Sequence, residues 1–244
     1  MQIRTTLKKH KTYFNWSSGK DSALALYHLL QNEQYTVDEL ITTVNTYYNR
    51  VSMHGLRKEL LITQTNALGI PASLIELPEM PSMAIYEQKI NETVLRLKND
   101  GFTHSAFGDI FLEDLRDYRD KQLAKANLTS VYPLWKRNTK DLLNEFLDLG
   151  FKTIIVCANS KYFDDHFVGT VIDKDFINNL PEDIDPCGEN GEFHTFCFDG
   201  PIFKNPIDFT VAEKVYREYD TPKTNDSVCT SDTYGVWYCD LIPK

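Results

Sequence analysis

The stretch Trp16-Ser17-Ser18-Gly19-Lys20-Asp21-Ser22 gathers a cation, a carboxylate and three hydroxyls around a glycine. It follows an apolar run, Tyr13 to Trp16, and opens a periodic one, Ala23, Leu24, Leu26, Tyr27 and Leu30. That pattern predicts a strand, a tight loop and a helix. Small residues let backbone N–H groups approach a bound group closely. The helix N-terminus adds unpaired donors and a partial positive charge. Together they favour an oligophosphate or pyrophosphate. Lys20 supplies a mobile cation, and Ser17, Ser18 and Ser22 supply hydroxyl donors. Asp21 can cap the helix or help hold magnesium. The spacing is not that of the Walker loop.

Three further segments carry groups able to do chemistry. Met53-His54 follows a polar loop, and its imidazole can stack on an adenine, contact phosphate or simply start a helix. Gly108-Asp109-Ile110 follows a short apolar run. Gly108 permits a sharp exit from a strand, and Asp109 can bind magnesium or ribose hydroxyls. Glu113 and Arg116 lie one helical turn apart and can pair on a surface helix instead of serving a site, with Arg119 as an alternative cation. The third segment runs from Cys187 to Phe196, with Gly188 and Gly191 bracketing a turn. On a strand, Glu192 and His194 point to one face. A carboxylate and an imidazole together suit cation or amine binding and acid–base work, whereas an ordinary hairpin merely solvates them.

The elements that must position these groups alternate. Strands are predicted at 12–16, 37–44, 72–77, 104–107, 131–134 and 153–157, with helices at 21–32, from Leu56 to Leu68, 85–97, 115–126 and 142–149. Such alternation predicts an α/β fold, a parallel sheet with helices on both faces. Ligands of such sheets sit at the carboxyl ends of strands near the switch point. Ser17–Ser22, Val44 and Gly108-Asp109 all fall there. After Cys157 the pattern becomes loop-rich, with a helix near 174–180 and extended segments at 193–198, 209–219 and 233–241. Residues 1–157 are therefore expected to bind nucleotide, and 158–244 to form a smaller α+β domain on the substrate side. Pro133-Leu134-Trp135 reads as a packing wedge.

Composition narrows the class. The 244 residues are 42% hydrophobic and contain no run of apolar residues long enough to span a membrane. The basic N-terminus lacks a following apolar stretch, so a cytoplasmic protein is expected. The five cysteines include no Cys-x-x-Cys pair and are expected to be reduced, partly buried thiols. With 26 basic against 35 acidic residues, the net charge of −9 disfavours broad nucleic-acid binding.

The first loop resembles the Ser-Gly-Gly-Lys-Asp-Ser loop of the N-type ATP pyrophosphatases, or PP-loop enzymes, with Ser18 where glycine is usual. If that residue sits at φ > 0, serine is strained there. The loop, Met53-His54, Gly69-Ile70-Pro71, Gly108-Asp109-Ile110, Pro133-Leu134-Trp135 and the run Gly188 to Thr195 occur in the order seen in the diphthine–ammonia ligases. The resemblance covers roughly 12–210, and the tail from 211 carries no matching motif. It implies a HUP-like fold and an ATP-dependent amidation using magnesium. A substrate carboxylate is activated as an acyl-adenylate, pyrophosphate leaves, and free ammonia gives an amide and AMP. The implied acceptor is a modified histidine on a translation elongation factor, bearing a trimethylammonium group beside its carboxylate. The implied catalytic set is Lys20, Asp21, Glu189, Glu192 and His194, with Phe193 offering cation–π attraction. The implied nucleotide set is Ser17, Ser18, Gly19, Lys20, Asp21, Ser22, Val44, His54, Gly108 and Asp109, with Asp21 and Asp109 toward metal. The rivals are a PP-loop tRNA-modifying enzyme and a nucleotide-binding protein without turnover.

Overall fold

The computed structural model describes residues 9–220 and 233–244. In chain order the elements are β1 (His10–Asn15), α1 (Lys20–Gln31), β2 (Tyr35–Asn45), β3 (Arg50–Val51), α2 (Lys58–Leu68), β4 (Ala72–Leu77), α3 (Met83–Asn99), β5 (His104–Ala106), α4 (Glu113–Lys125), β6 (Thr129–Val131), α5 (Thr139–Asp148), β7 (Lys152–Asn159), α6 (Lys174–Asn179), β8 (Phe193–Asp199), β9 (Phe209–Asp220) and β10 (Thr233–Pro243). Apart from the two-residue β3, each was expected from periodicity, within a few residues at the ends.

The first sheet runs β4-β2-β1-β5-β6, all parallel. Strand order reverses between β1 and β5, so the switch point lies where the phosphate-type loop leaves β1. Alternation along the strands sends Phe14 and Leu40 to the face covered by α1 and α2. It sends Tyr13, Ile41 and Ile75 to the opposite face, with Leu97 of α3 and Leu123 of α4. β3 pairs antiparallel with Val44 and Asn45 of β2, beyond the carboxyl end of β1, and so folds the following loop back over that end.

The second sheet is antiparallel, in the order β8-β7-β10-β9. The expected division at 157/158 cuts through β7, and the segment 153–157 joins this second sheet rather than extending the first. Local pattern could not separate a buried edge of one sheet from a central strand of another. The tail that carried no motif supplies β9 and β10, half of this sheet. One apolar core joins the two sheets: Phe14, Leu24 and Leu26 lie in the same buried cluster as Ile154, Phe196 and Leu241.

A fully buried amide fastens the layers. Gln64 of α2 accepts from Trp16 Nε1 at 2.8 Å and donates through Nε2 to the carbonyls of Ser18 at 3.0 Å and Cys197 at 2.6 Å. The Cys197 amide also donates to Ser18 O at 2.9 Å. Among the described residues no helix is long and apolar enough to cross a membrane. Cys157, Cys187, Cys197 and Cys239 are buried free thiols, as expected, while Cys229 lies outside the described residues. Replacing Gln64 with Leu strands the Trp16 indole N–H and a carbonyl in the core. Chemical denaturation of Gln64→Leu should show a loss of about 2–4 kcal/mol in unfolding free energy.

Candidate functional site

The loop after β1 is braced by its own hydroxyls. Ser17 Oγ and Ser22 Oγ lie 2.8 Å apart, and Ser22 Oγ accepts from the Ser17 amide at 3.2 Å. Gly19 stands at the N-cap of α1 with no side chain to offer. Thr195 of β8 fills that role from the other sheet, its Oγ1 accepting from the Lys20 amide at 3.0 Å. The amides of Asp21 and Ser22 belong to the first turn, where α-helical geometry provides no partner. Gly108 is required by proximity: a Cβ there would lie 2.9 Å from the Ser22 amide nitrogen. Ser18 occupies the left-handed region at φ 74°, so the departure from glycine is a strained one. Its Oγ is buried with no hydrogen-bond partner among the described residues.

Lys20 is not the mobile cation expected. It is only 3% exposed. Its ammonium donates to Asp21 Oδ2 at 2.8 Å and to the Cys187 carbonyl, and lies 5.3 Å from the centroid of the Phe193 ring. Burial alone lowers an ammonium pKa, but Asp21 and its other acidic neighbours outweigh it and hold the cation charged. Glu189 faces the same cluster and accepts from the Ile110 amide at 3.2 Å. Burial, together with the neighbouring Asp21 charge, pushes its carboxyl up to about 8. Asp109 is ion-paired with Arg119. Glu113 and Arg116, which spacing allows to pair, do not. Glu113 pairs with Lys136 at 2.7 Å, and Arg116 with Asp120 at 3.5 Å, its guanidinium 4.5 Å from the Trp135 ring centroid. The turn at 133–136 approaches the site through the Lys136 amide on Ile110 O at 2.7 Å, while Leu134 is core.

The other expected residues divide. His54 lies against Gly19 and stacks on His194, with ring centroids 4.7 Å apart and 15° between planes. Burial lowers both imidazoles, His194 to about 4, so both are neutral at physiological pH. His54 Nδ1 is buried without a partner among the described residues. Glu192, which was expected to share a substrate-facing side with His194, is buried. It ties its own loop, accepting from the amides of Asp185 at 3.1 Å and Asn190 at 2.9 Å. Phe193 is enclosed by Phe163, Phe167 and Phe176, out of reach of a substrate cation. Val44 is core, and its backbone lies between β3 and β4. Its neighbours Thr42 and Thr43 instead line a cavity of about 340 Å³.

That cavity opens along the carboxyl edge of the first sheet. Asn15, Ser17, Ser52 and His54 form its polar side; Ile41, Ile90 and Phe107 are among its apolar walls. It is large enough to take a nucleoside beside the loop. Asn15 is held at the switch point by donating to Ser105 Oγ at 2.9 Å and Ala106 O at 3.0 Å. Among the described residues no three His, Cys, Asp or Glu side chains form a metal cage. Magnesium commonly uses one or two carboxylates plus substrate phosphate oxygens; of the two carboxylates expected to serve it, Asp21 is paired with Lys20 and Asp109 with Arg119.

Residues 10–127 match the family model described as diphthamide synthase N-terminal domain, and 138–224 match the diphthamide synthase C-terminal domain. The chain belongs to the diphthamide synthase family. Proteins named diphthine–ammonia ligase from Mus musculus and Homo sapiens are 33% and 30% identical to it over 115 residues, 45% of this chain and 43% of each of those proteins. The matches thus span less than half the length of these curated relatives. A solved U34-tRNA thiolase NcsA from Methanococcus maripaludis, with its [4Fe-4S] cluster, aligns over 60% of this chain and 59% of that one, at 20% identity and TM-score 0.38.

In this diphthamide synthase family member the two matched domains meet at the loop itself. Thr195 and Gln64, which make that junction, drew no attention as functional residues in the sequence. Gln64 sits mid-helix with no motif around it. The phase of Thr195, opposite to His194 on a strand, was the available signal, and it pointed Thr195 toward the core.

Glu189 has its pKa raised on folding, so it contributes stability that is fully present below the ordinary carboxylate range and is lost as pH rises toward about 8. Glu189→Gln removes that loss. Thermal melts should show the variant matching the unmodified protein near pH 4 and exceeding it above pH 8, because the carboxyl is raised from the ordinary glutamate range to about 8.

Proposed function

We propose that this chain is an ATP-dependent carboxylate–ammonia ligase that forms an acyl-adenylate and converts it to an amide, releasing AMP and pyrophosphate. The observation that carries the reading is the α1 N-terminus, its loop residue Ser17 lining the cavity with His54, and two buried polar atoms there, Ser18 Oγ and His54 Nδ1, that have no partner among the described residues. Buried polar groups without partners are rare, and phosphate or nucleoside groups at this loop would satisfy both. Family membership selects among nucleotide chemistries, because relatives bear the name diphthine–ammonia ligase.

In this reading the nucleoside of ATP fills the cavity, and its β- and γ-phosphates take the α1 amides. Lys20 stabilises the charge that develops on departing pyrophosphate. Because its ammonium is already held, it acts as a fixed charge rather than one ordered during the reaction. Magnesium, held by Asp21 and Asp109, would act as a Lewis acid toward the phosphates. The acceptor carboxylate attacks the α-phosphorus and the bond to the bridging oxygen breaks toward pyrophosphate. Ammonia then attacks the acyl carbon and AMP departs with its phosphate oxygen. The proton lost by the nitrogen needs a base. Glu189, with a carboxyl near 8, is matched to take it close to neutral pH.

Glu192 and His194 are assigned to shaping the site rather than touching substrate. The acceptor is a carboxylate, with the modified histidine of an elongation factor as the leading candidate, and the setting is cytoplasmic. A net charge of −9 supports a cationic acceptor over bulk RNA.

The test incubates the chain with ATP, magnesium, ammonium and an elongation factor carrying the carboxylate form of that histidine. AMP should appear only with the acceptor present, and the acceptor should lose the mass difference between acid and amide. Acceptor-independent AMP, or ADP in place of AMP, contradicts the proposal. Lys20→Met should reduce acceptor-dependent AMP formation by about a hundredfold or more, as for loss of one preorganised charge at a developing anion.

A further inference from the structure

The loop between β3 and α2 carries His54 and contributes Ser52 and Met53 to the cavity wall, beside Val51 of β3. Both of its ends are held by one carboxylate from the far sheet. Asp240 of β10 is 9% exposed. Its Oδ1 accepts from Arg50 Nη1 at 2.9 Å and Arg57 Nε at 3.0 Å, and its Oδ2 accepts from Arg57 Nη2 at 2.6 Å. Arg50 and Arg57 are themselves bridged across the loop base, and Arg50 Nη1 also donates to Gly55 O at 2.7 Å. Two residues before it on β10, Tyr238 packs against the loop: a Cβ on Gly55 would come within 2.8 Å of its ring. The grip is bidentate and charge-assisted, the geometry in which an Arg–carboxylate pair fixes orientation as well as contributing energy.

Asp240 lies beyond residue 224, where the matched C-terminal domain ends. The loop it grips reaches the proposed nucleotide site through His54, which stacks on His194, lies against Gly19 and hydrogen-bonds the Thr195 backbone. We propose that Asp240 is a positioning residue for nucleotide binding: through Arg50 and Arg57 it sets the 50–57 loop, and with it His54, in the place from which the loop walls the cavity. A purely structural ion pair would affect stability alone. A positioning residue affects ligand affinity beyond any effect on folding, because the loop has to be ordered at the expense of binding when it is not ordered beforehand.

The inference rests on the cavity being the nucleotide site, and the experiment separates the two. Magnesium–ATP is titrated calorimetrically into the full-length protein, Asp240→Asn and Arg57→Lys, at a temperature where circular dichroism shows each folded. Binding by the unmodified protein with Asp240→Asn weakened about tenfold or more, and Arg57→Lys between the two, supports the inference. Hydrogen exchange of the 51–56 amides should rise in parallel in both variants. If the unmodified protein binds and both variants bind equally well, Asp240 is structural only and the inference is overturned. No ATP binding by the unmodified protein overturns the nucleotide reading, and the inference with it. Should Asp240→Asn not fold, Arg57→Lys alone decides between the first two outcomes, since it keeps the charge and gives up the fork.

Discussion

The hydrogen bond from the Lys20 amide to Thr195 Oγ1 joins the part of the chain that resembles a phosphate loop to the part that does not. A helix beginning with Gly19 has no cap of its own, and its first amides must be satisfied from elsewhere or left for a ligand. Thr195 takes one of them. The Cys197 amide and Gln64 take the Ser18 carbonyl. The loop is thereby fixed at both faces by β8, and the second sheet is not a detachable lid. The apolar core running from Phe14 through Phe196 to Leu241 is the energetic counterpart of that junction.

Burying Lys20 follows from the same constraint. An ammonium removed from water is tolerated only where acceptors and opposite charges surround it. Asp21, the Cys187 carbonyl and Glu189 provide that environment, and two of the three come from the loop preceding β8. Glu192 explains why that loop holds its shape, since its carboxylate collects the loop's own amides. Gly188 and Gly191 turn through the left-handed region, at φ 70° and 82°, to make the loop. The segment Gly188–Thr195, which in sequence looks like a substrate-facing strand, therefore braces the 17–22 loop from behind, and Glu189 is the carboxylate of that segment that faces Lys20 and Asp21.

Much of the fold was legible because its signals are local. Alternating periodicities gave the doubly wound sheet, Gly69 stops α2 in a left-handed cap, and the loop at 17–22 falls at the switch point. The strain at Ser18 could be anticipated from one missing glycine. What was not legible depends on distant partners. β7 has the same apolar run whichever sheet it joins. Asp240 and Arg57 are separated by 183 residues, and no spacing rule connects them. Val44 at a strand end and His54 after the following polar loop both read as nucleotide contacts, yet His54 lines the cavity and Val44 is core; β3, too short to read from periodicity, decides which. Glu192 and His194 share a strand phase, but the preceding turn rotates Glu192 inward, where it serves its own backbone.

The most direct measurement is a crystal structure of the chain with magnesium and an ATP analogue whose α,β-bridge is methylene, so that pyrophosphate cannot leave. The account predicts the nucleoside in the cavity between Thr43 and Phe107, and the terminal phosphates on the Asp21 and Ser22 amides. It also predicts Thr195 still on the Lys20 amide, and Ser18 Oγ or His54 Nδ1 newly partnered by the ligand. Phosphates bound away from the α1 N-terminus, or β8 displaced from the loop to admit them, would contradict it.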